Sequence, residues 1–257
     1  MTTSNRNNGR VIFISAGPGA ADLITLRGAN RLAEADVVLF DALTDPALRR
    51  FAPRARWIDV GKRGFSNTSA AQTTIDALLV KLAEQGAVVA RLKGGDASVF
   101  GRLEEELQAL ATAGIECEVV PGVTAALAAA AAIKRPLTRR GAGRSVSLTT
   151  AMTRTGSLQA GRHADTEVFY MAGRQLRDLG RALLHAGWAA DSPVCVVSRA
   201  GWPDALGSDH LLADLAAATL LHAGRPAVVT VGAGAAPVEG RAPVSRKGLP
   251  AESALAP

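Results

Sequence analysis

Val88-Val89-Ala90-Arg91-Leu92-Lys93-Gly94-Gly95-Asp96 is a short apolar run that stops in two glycines and a carboxylate. The length and β-branched content of Val88–Leu92 suit a strand, and the glycines end it. Upstream, Thr68 or Ser69 can cap a helix on which Ile75, Leu78, Leu79 and Leu82 share a face, and Gly86 stops that helix. Downstream, Arg102–Ala113 reads as a helix closed by Gly114. Ile115–Val120 then reads as another strand, ending at Pro121-Gly122. A strand flanked on both sides by helices, with a further strand beyond, is the repeating unit of an α/β architecture.

The same alternation extends outward. Val11–Ser15 is a strand ending at Gly17-Pro18-Gly19. Leu23, Leu26, Ala29 and Ala33 follow at helical spacing, then a strand Val37–Phe40 that breaks at Asp41–Pro46. Trp57–Val60 ends at Gly61-Lys62-Arg63-Gly64, and an alanine-rich helix runs to about Ile133. Arg135-Pro136 through Gly143 breaks the pattern. A second unit then brings strands near Ser145–Thr150, Glu167–Met171, Val194–Ser198 and Ala227–Val231, with helices Arg174–Ala186 and Leu211–Leu221. Runs apolar on both faces suit strands covered by helices. The expected organisation is a disordered start (1–9), an N-terminal α/β domain (10–134), a linker (135–144), a C-terminal α/β domain (145–235) and a flexible tail (236–257).

Composition narrows the class. The chain has 257 residues, 48% hydrophobic and 20% charged, so it can bury a core and is not disordered throughout. Lys+Arg is 29 against Asp+Glu 23, a net charge of +6, and arginine supplies most of it. Arginine's planar fork suits carboxylates and phosphates, which points to an anionic partner. Aromatics are only 4% and the arginines are spread along the chain, which disfavours an arginine-rich nucleic-acid binder. Cys117 and Cys195 lie far apart and each sits in an apolar run, so both read as reduced core thiols. No run approaches the length of a membrane span and the start is polar, so the expected setting is cytoplasmic, with no membrane partner.

Ligands of open α/β sheets bind beyond the carboxyl ends of strands. Here those ends carry Gly17-Pro18-Gly19, Asp41, Gly61-Lys62-Arg63, Gly94-Gly95-Asp96, Pro121-Gly122-Val123-Thr124 and Met171. Glycines there let a ligand approach the backbone. Two familiar motifs fail. Gly17-Pro18-Gly19-Ala20-Ala21-Asp22 lacks the third glycine of the dinucleotide fingerprint, and no phosphate-binding G-x-x-x-x-G-K-[ST] occurs. His163, His185, His210 and His222 show no ligand spacing, so no metal is expected. His185 and His222 fall near helix C-termini, where a cation favours the dipole.

Several blocks together resemble the tetrapyrrole (corrin/porphyrin) methylase family. Val11–Gly19 with Asp22-Leu23-Ile24-Thr25-Leu26 is similar to its opening V-x-x-V-G-A-G-P-G-D-x-x-L-L-T-L. Ala35–Leu43 is similar to A-D-V-V-x-Y-D-R-L, and Gly61-Lys62-Arg63 and Gln72 match the next block. The most specific stretch is Arg91–Arg102, similar to R-L-K-G-G-D-P-F-x-F-G-R. Val119–Ala126, Arg135–Thr138 and Phe169–Met171 continue the likeness, which covers about Arg10 to Gly232.

The resemblance implies two α/β domains with a ligand cleft between them, commonly as a homodimer, and S-adenosyl-L-methionine as methyl donor. The Arg91–Arg102 block implies the member that methylates uroporphyrinogen III at C2 and C7 to give precorrin-2, for cobalamin or sirohaem synthesis. A sibling methylase acting on a later corrin intermediate is the alternative. Carried over residue by residue, Pro18, Gly94, Gly95, Asp96, Val99, Thr124, Ala125, Met171 and Ala200 would line the donor pocket. Asp41 would be the base and Lys62 the proton donor. Asp41 could instead merely cap the helix beginning near Pro46, and Asp96 could cap a turn. The substrate carries eight carboxylates, for which Arg63, Arg139 and Arg174 are the candidate partners. The chain departs from the family at Ala97-Ser98, Leu103-Glu104, Ala42, Arg139, Ala172 and Val197–Gly201.

Overall fold

Along the chain the first half runs β1 (Arg10–Ser15), α1 (Leu26–Ala33), β2 (Val37–Phe40), β3 (Arg56–Asp59), α2 (Ser69–Glu84), β4 (Val88–Lys93), α3 (Leu103–Thr112) and β5 (Cys117–Val120). Short 3-10 turns lie at Ala21–Leu23 and Pro46–Phe51. The computed structural model describes residues 9–61, 69–151, 158 and 160–238. Contacts separate it into two units that part between Thr124 and Ala125. The alanine-rich helix α4 (Ala125–Ala132) therefore goes with the second unit, whereas the sequence reading put it in the first.

The first unit is a five-stranded sheet in the order β3-β2-β4-β1-β5, with every pairing parallel. Strand parity splits its core into two layers. Ile12, Ile14, Val38, Ala90 and Leu92 face one way, against Leu32 of α1, Leu48 of the second 3-10 turn and Ala52, which follows it. Val11, Phe13, Val37, Leu39 and Val89 face the other, against Leu79, Leu82 and Ala83 of α2 and Leu110 of α3. Alternate residues on both faces are buried, which is why the strands read as continuous apolar runs. Every strand ends at the same edge, so the loops after β1, β2, β4 and β5 share one rim.

The second unit contains α4, β6 (Val146–Thr150), β7 (Thr166–Tyr170), α5 (Leu176–His185), β8 (Pro193–Ser198), β9 (Leu206–Leu211), α6 (Ala218–Leu221) and β10 (Ala227–Gly232). Its sheet runs β6-β7-β10-β8-β9. Only β6 and β7 are parallel, and the other three pairings are antiparallel. Phe169, Val194, Val196, Val229 and Val231 pack against Leu176, Leu179 and Leu183 of α5 and against Leu212 and Leu215. Strands β7 and β8 both run antiparallel to β10, so their carboxyl ends lie on the same sheet edge.

Three expectations change. Leu206–Leu211 is a strand that the sequence reading did not find, because Gly207, Ser208, Asp209 and His210 carry no apolar alternation. The helix expected over Leu211–Leu221 is a 3-10 turn, Leu212–Ala217, followed by the single turn of α6. Leu212 and Leu215 are its buried residues, and a spacing of three suits the 3-10 period. Cys117, expected in the core, is exposed on the sheet-edge strand β5, while Cys195 is buried. Burial and then Asp209 push the Cys195 thiol up to about 12.

Candidate active site at the strand ends

The loops after β1, β4 and β5 are stitched together by polar contacts of small groups. Gly17 donates its N–H to Gly95 O (3.2 Å) and Gly95 donates to Gly17 O (2.7 Å). Both residues have positive φ, +81° and +71°, where glycine avoids the Cβ penalty of other residues. Ser15, fully buried, accepts from Ala97 N at 3.0 Å. Asp96 accepts from Ser98 N through Oδ1 and from Gly122 N through Oδ2, both at 2.8 Å. Gly122 lies so close to Ser15 that an added Cβ would fall 2.5 Å from the Ser15 Cβ. Pro18, Gly94, Gly95 and Asp96 are thus brought onto one rim, with Val99 and Thr124 a few residues beyond along the same loops. At Gly95 an added Cβ would meet nothing within 4 Å among the described residues beyond its chain neighbours, so the backbone there borders open space among them.

Asp96 does what a turn cap does, and it also ties the β4 loop to the β5 loop. Each of its carboxylate oxygens accepts from a backbone amide. Asp41 is different. The cap of the 3-10 turn at Pro46 is Asp45, whose Oδ1 accepts from Ala47 N and whose Oδ2 accepts from Ala21 N, both at 2.9 Å. Asp41 is left to other work.

Asp41 follows β2 and is 34% exposed. Its Oδ1 accepts from Arg91 Nη2 at 2.7 Å. Arg91 and Lys93 sit two apart on β4, so both project to the α2/α3 side, opposite Ala90 and Leu92. Glu106 of α3, fully buried, receives them. Arg91 Nε reaches Glu106 Oε1 at 3.1 Å and Lys93 Nζ reaches Oε2 at 2.8 Å. Gln72 Nε2 donates to Oε1 at 3.2 Å and to Asp76 at 2.8 Å. Burial opposes charge on Arg91, but the carboxylates of Asp41 and Glu106 outweigh it and hold the guanidinium above its ordinary range. Burial, followed by the Arg91 charge, pushes the Lys93 ammonium below its usual value despite Glu106. Sequence reasoning did not find this ion set. The signal was present: two cations at i and i+2 on a strand buried on both faces require a carboxylate from the covering helices.

Gly61 is the last described residue before Lys62. It is pressed against the Asp41–Ala42 peptide, where an added Cβ would lie 2.0 Å from Ala42 N. Lys62 and Arg63 lie outside the described residues.

In the second unit, Met171 and Ala200 occupy the common edge formed by the ends of β7 and β8. Met171 has φ +56° and is 44% exposed, an unusual backbone state for a non-glycine residue. Ala200 is buried between Arg199 (φ +52°) and Gly201 (φ +81°). Ala125 is the first residue of α4. Arg139 donates from Nη1 to Pro237 O (3.2 Å) and from Nη2 to Ala236 O, while its buried Nε has no partner. Arg174 is exposed just ahead of α5. His222 does cap the C-terminus of α6, but inside the protein and not as a surface cation. It is fully buried, with Nδ1 2.9 Å from Ser198 Oγ and Nε2 2.8 Å from Ser208 Oγ. Ser208 Oγ continues to His210 Nε2 at 2.7 Å. Burial, then His210 and Arg225, push His222 down to about 4.

Among the described residues no group of three or more His, Cys, Asp or Glu side chains is placed to hold a metal ion, and no helix is long and apolar enough to cross a membrane. Residues 10–234 match the family described as Tetrapyrrole (Corrin/Porphyrin) Methylases. The chain is 39% identical over 234 residues to the uroporphyrinogen-III C-methyltransferase of Pseudomonas aeruginosa, covering 88% of this chain and 94% of that protein. The crystal structure of the Thermus thermophilus uroporphyrin-III C-methyltransferase complexed with S-adenyl homocysteine superposes with a TM-score of 0.76 at 33% identity, over 87% of this chain and 97% of that one. A cobalt precorrin-4 methyltransferase superposes with a TM-score of 0.78 at 28% identity, over 92% and 100% of the two chains. The chain belongs to the tetrapyrrole (corrin/porphyrin) methylases.

Proposed function

We propose that the chain transfers methyl groups from S-adenosylmethionine to C2 and C7 of uroporphyrinogen III, giving precorrin-2 for cobalamin or sirohaem synthesis. The observation that carries this reading is the rim after β1, β2 and β4. It sets a glycine-lined backbone cradle beside a half-exposed carboxylate anchored by a buried arginine.

The cradle fits the donor. Gly95 presents backbone to open space, and the amide–carboxylate ties through Asp96 fix that backbone in place. Carried over from the family, Pro18, Gly94, Gly95, Asp96, Val99 and Thr124 of the first unit would hold it, and Ala125, Met171 and Ala200 of the second unit are donor candidates on the resemblance alone. When bound, S-adenosylmethionine supplies an electrophilic methyl on a positively charged sulfur. Rigid backbone needs little reorganisation at the moment of reaction, and positioning of this kind lowers the barrier to an in-line displacement. After a pyrrole carbon has gained its methyl, the macrocycle is cationic and must lose a proton. Asp41 accepts it through Oδ2, since Oδ1 is held by Arg91. Lys62 follows Gly61 in the chain and is the candidate proton donor on the resemblance alone. Arg63, Arg139 and Arg174 would meet substrate carboxylates. Arg139 gives both Nη groups to backbone carbonyls, and Arg174 is exposed just ahead of α5.

On the same resemblance we propose a cytoplasmic homodimer, which light scattering on the purified chain checks. The activity itself is tested by incubating purified protein with S-adenosylmethionine and enzymatically made uroporphyrinogen III. A doubly methylated product by mass is expected, and its absence in a folded, donor-saturated sample overturns the reading.

A further inference from the structure

We infer that Glu106 is a positioning residue for methyl transfer: through Arg91 it fixes the direction of the Asp41 carboxylate. The inference rests on the reading of Asp41 as the base.

The geometry runs as a chain of single contacts. Arg91 uses each of its three nitrogens on a different acceptor: Nε on Glu106 Oε1 (3.1 Å), Nη1 on Leu92 O (3.2 Å) and Nη2 on Asp41 Oδ1 (2.7 Å). A planar guanidinium bound at three points cannot rotate. Of the three acceptors, only Asp41 reaches solvent appreciably. Glu106 is fully buried, and Arg91 and Lys93 are 3% and 2% exposed. Glu106 is in turn held by Lys93 on Oε2 and by Gln72 on Oε1. Two carboxylates and two cations therefore form a balanced set with three members locked inside and one presented at the rim. An apolar group of the same volume would pack there with no desolvation cost, so stability is a weak reason for the ions. What they add is direction: the buried carboxylate sets the guanidinium plane, and that plane sets Asp41.

Glu106→Gln keeps the shape and removes the charge. It leaves one acceptor oxygen for three donors. The expected result is a fall in kcat of about tenfold or more, with the KM for S-adenosylmethionine within about twofold of wild type. If Glu106 acts through Asp41, the double variant E106Q/D41N is no slower than D41N alone. A further loss in the double variant, or an unchanged kcat in folded E106Q, overturns the inference.

A second arm needs no substrate. The Arg91 Nε–H resonance, assigned with R91K, is expected to be protected from hydrogen exchange in the full chain. Protection should fall about tenfold in E106Q and persist in D41N, because Nε is held by Glu106 and not by Asp41. Equal protection in E106Q, or loss of it in D41N, contradicts the inference. If E106Q does not fold, the D41N spectrum decides. If wild type makes no methylated product, the methylation reading fails while this arm still reports whether Glu106 holds the guanidinium.

Discussion

Gly17 and Gly95 hold each other by a reciprocal pair of backbone hydrogen bonds, 2.7 and 3.2 Å long, at the ends of the adjacent strands β1 and β4. The pair converts two loops into one surface. It also separates two effects that a substitution would otherwise mix. Gly95→Ala places a methyl where no described residue beyond its chain neighbours has an atom within 4 Å, so its folding cost is the backbone penalty of a left-handed alanine, about 1 kcal/mol. The same methyl intrudes on the space proposed for the donor. Calorimetry with S-adenosylhomocysteine should show affinity weakened by about tenfold or more, with a melting temperature lowered by only about 2–4 °C. Wild-type affinity in G95A would remove this backbone from the donor site.

Gly122→Ala should behave in the opposite way. The added Cβ would lie 2.5 Å from the Ser15 Cβ, and Ser15 is fully buried. Overpacking of this kind costs about 1–3 kcal/mol, so chemical denaturation should register a clear loss of stability. A stability equal to wild type would mean that β1 and β5 separate more easily than their contacts indicate.

Asp96→Asn tests the stapling role. An amide in place of the carboxylate turns one acceptor into a donor facing a backbone N–H, at Ser98 or Gly122. We expect about 1–3 kcal/mol of destabilisation together with weaker binding of S-adenosylhomocysteine. Loss of affinity with unaltered stability would instead assign Asp96 a direct contact with the donor.

His222 links the second unit to pH. Its native pKa is lowered to about 4 from the ordinary 6.5, so between those values the unfolded chain binds the proton and the folded chain does not. Stability from this group is therefore present above pH 6.5, declines as the pH falls and is gone below about 4. The full shift corresponds to about 3 kcal/mol as an upper figure. Urea melts at pH 7 and pH 4.5 should show this slope in wild type and a shallower one in His222→Gln. Parallel slopes would place the acid sensitivity elsewhere.

How much of this could be read from the sequence differs by region, for physical reasons. The strands of the first unit were legible because both faces of its sheet are buried. Runs such as Val11–Ile14 and Val37–Leu39 therefore appear unbroken, and glycine marks the loops beyond them. Strand β9 was not legible, because it lies at the sheet edge and carries the polar Ser208, Asp209 and His210, and Asp209 finds its partner Arg135 far back in the chain. At the site, the glycines and Asp41 announce themselves by their position at strand ends. Glu106 does not, since on a helix with Glu104 and Glu105 it reads as one more solvated acid. Only the fold turns it inward to meet Arg91 and Lys93.

The most direct test follows methyl groups labelled with carbon-13 from S-adenosylmethionine into the macrocycle. The account predicts two enriched methyl resonances, assignable to C2 and C7 of the tetrapyrrole, from wild type, and a loss of about a hundredfold in the rate of their appearance with Asp41→Asn. No transfer to uroporphyrinogen III, or label at any other ring position, would contradict it.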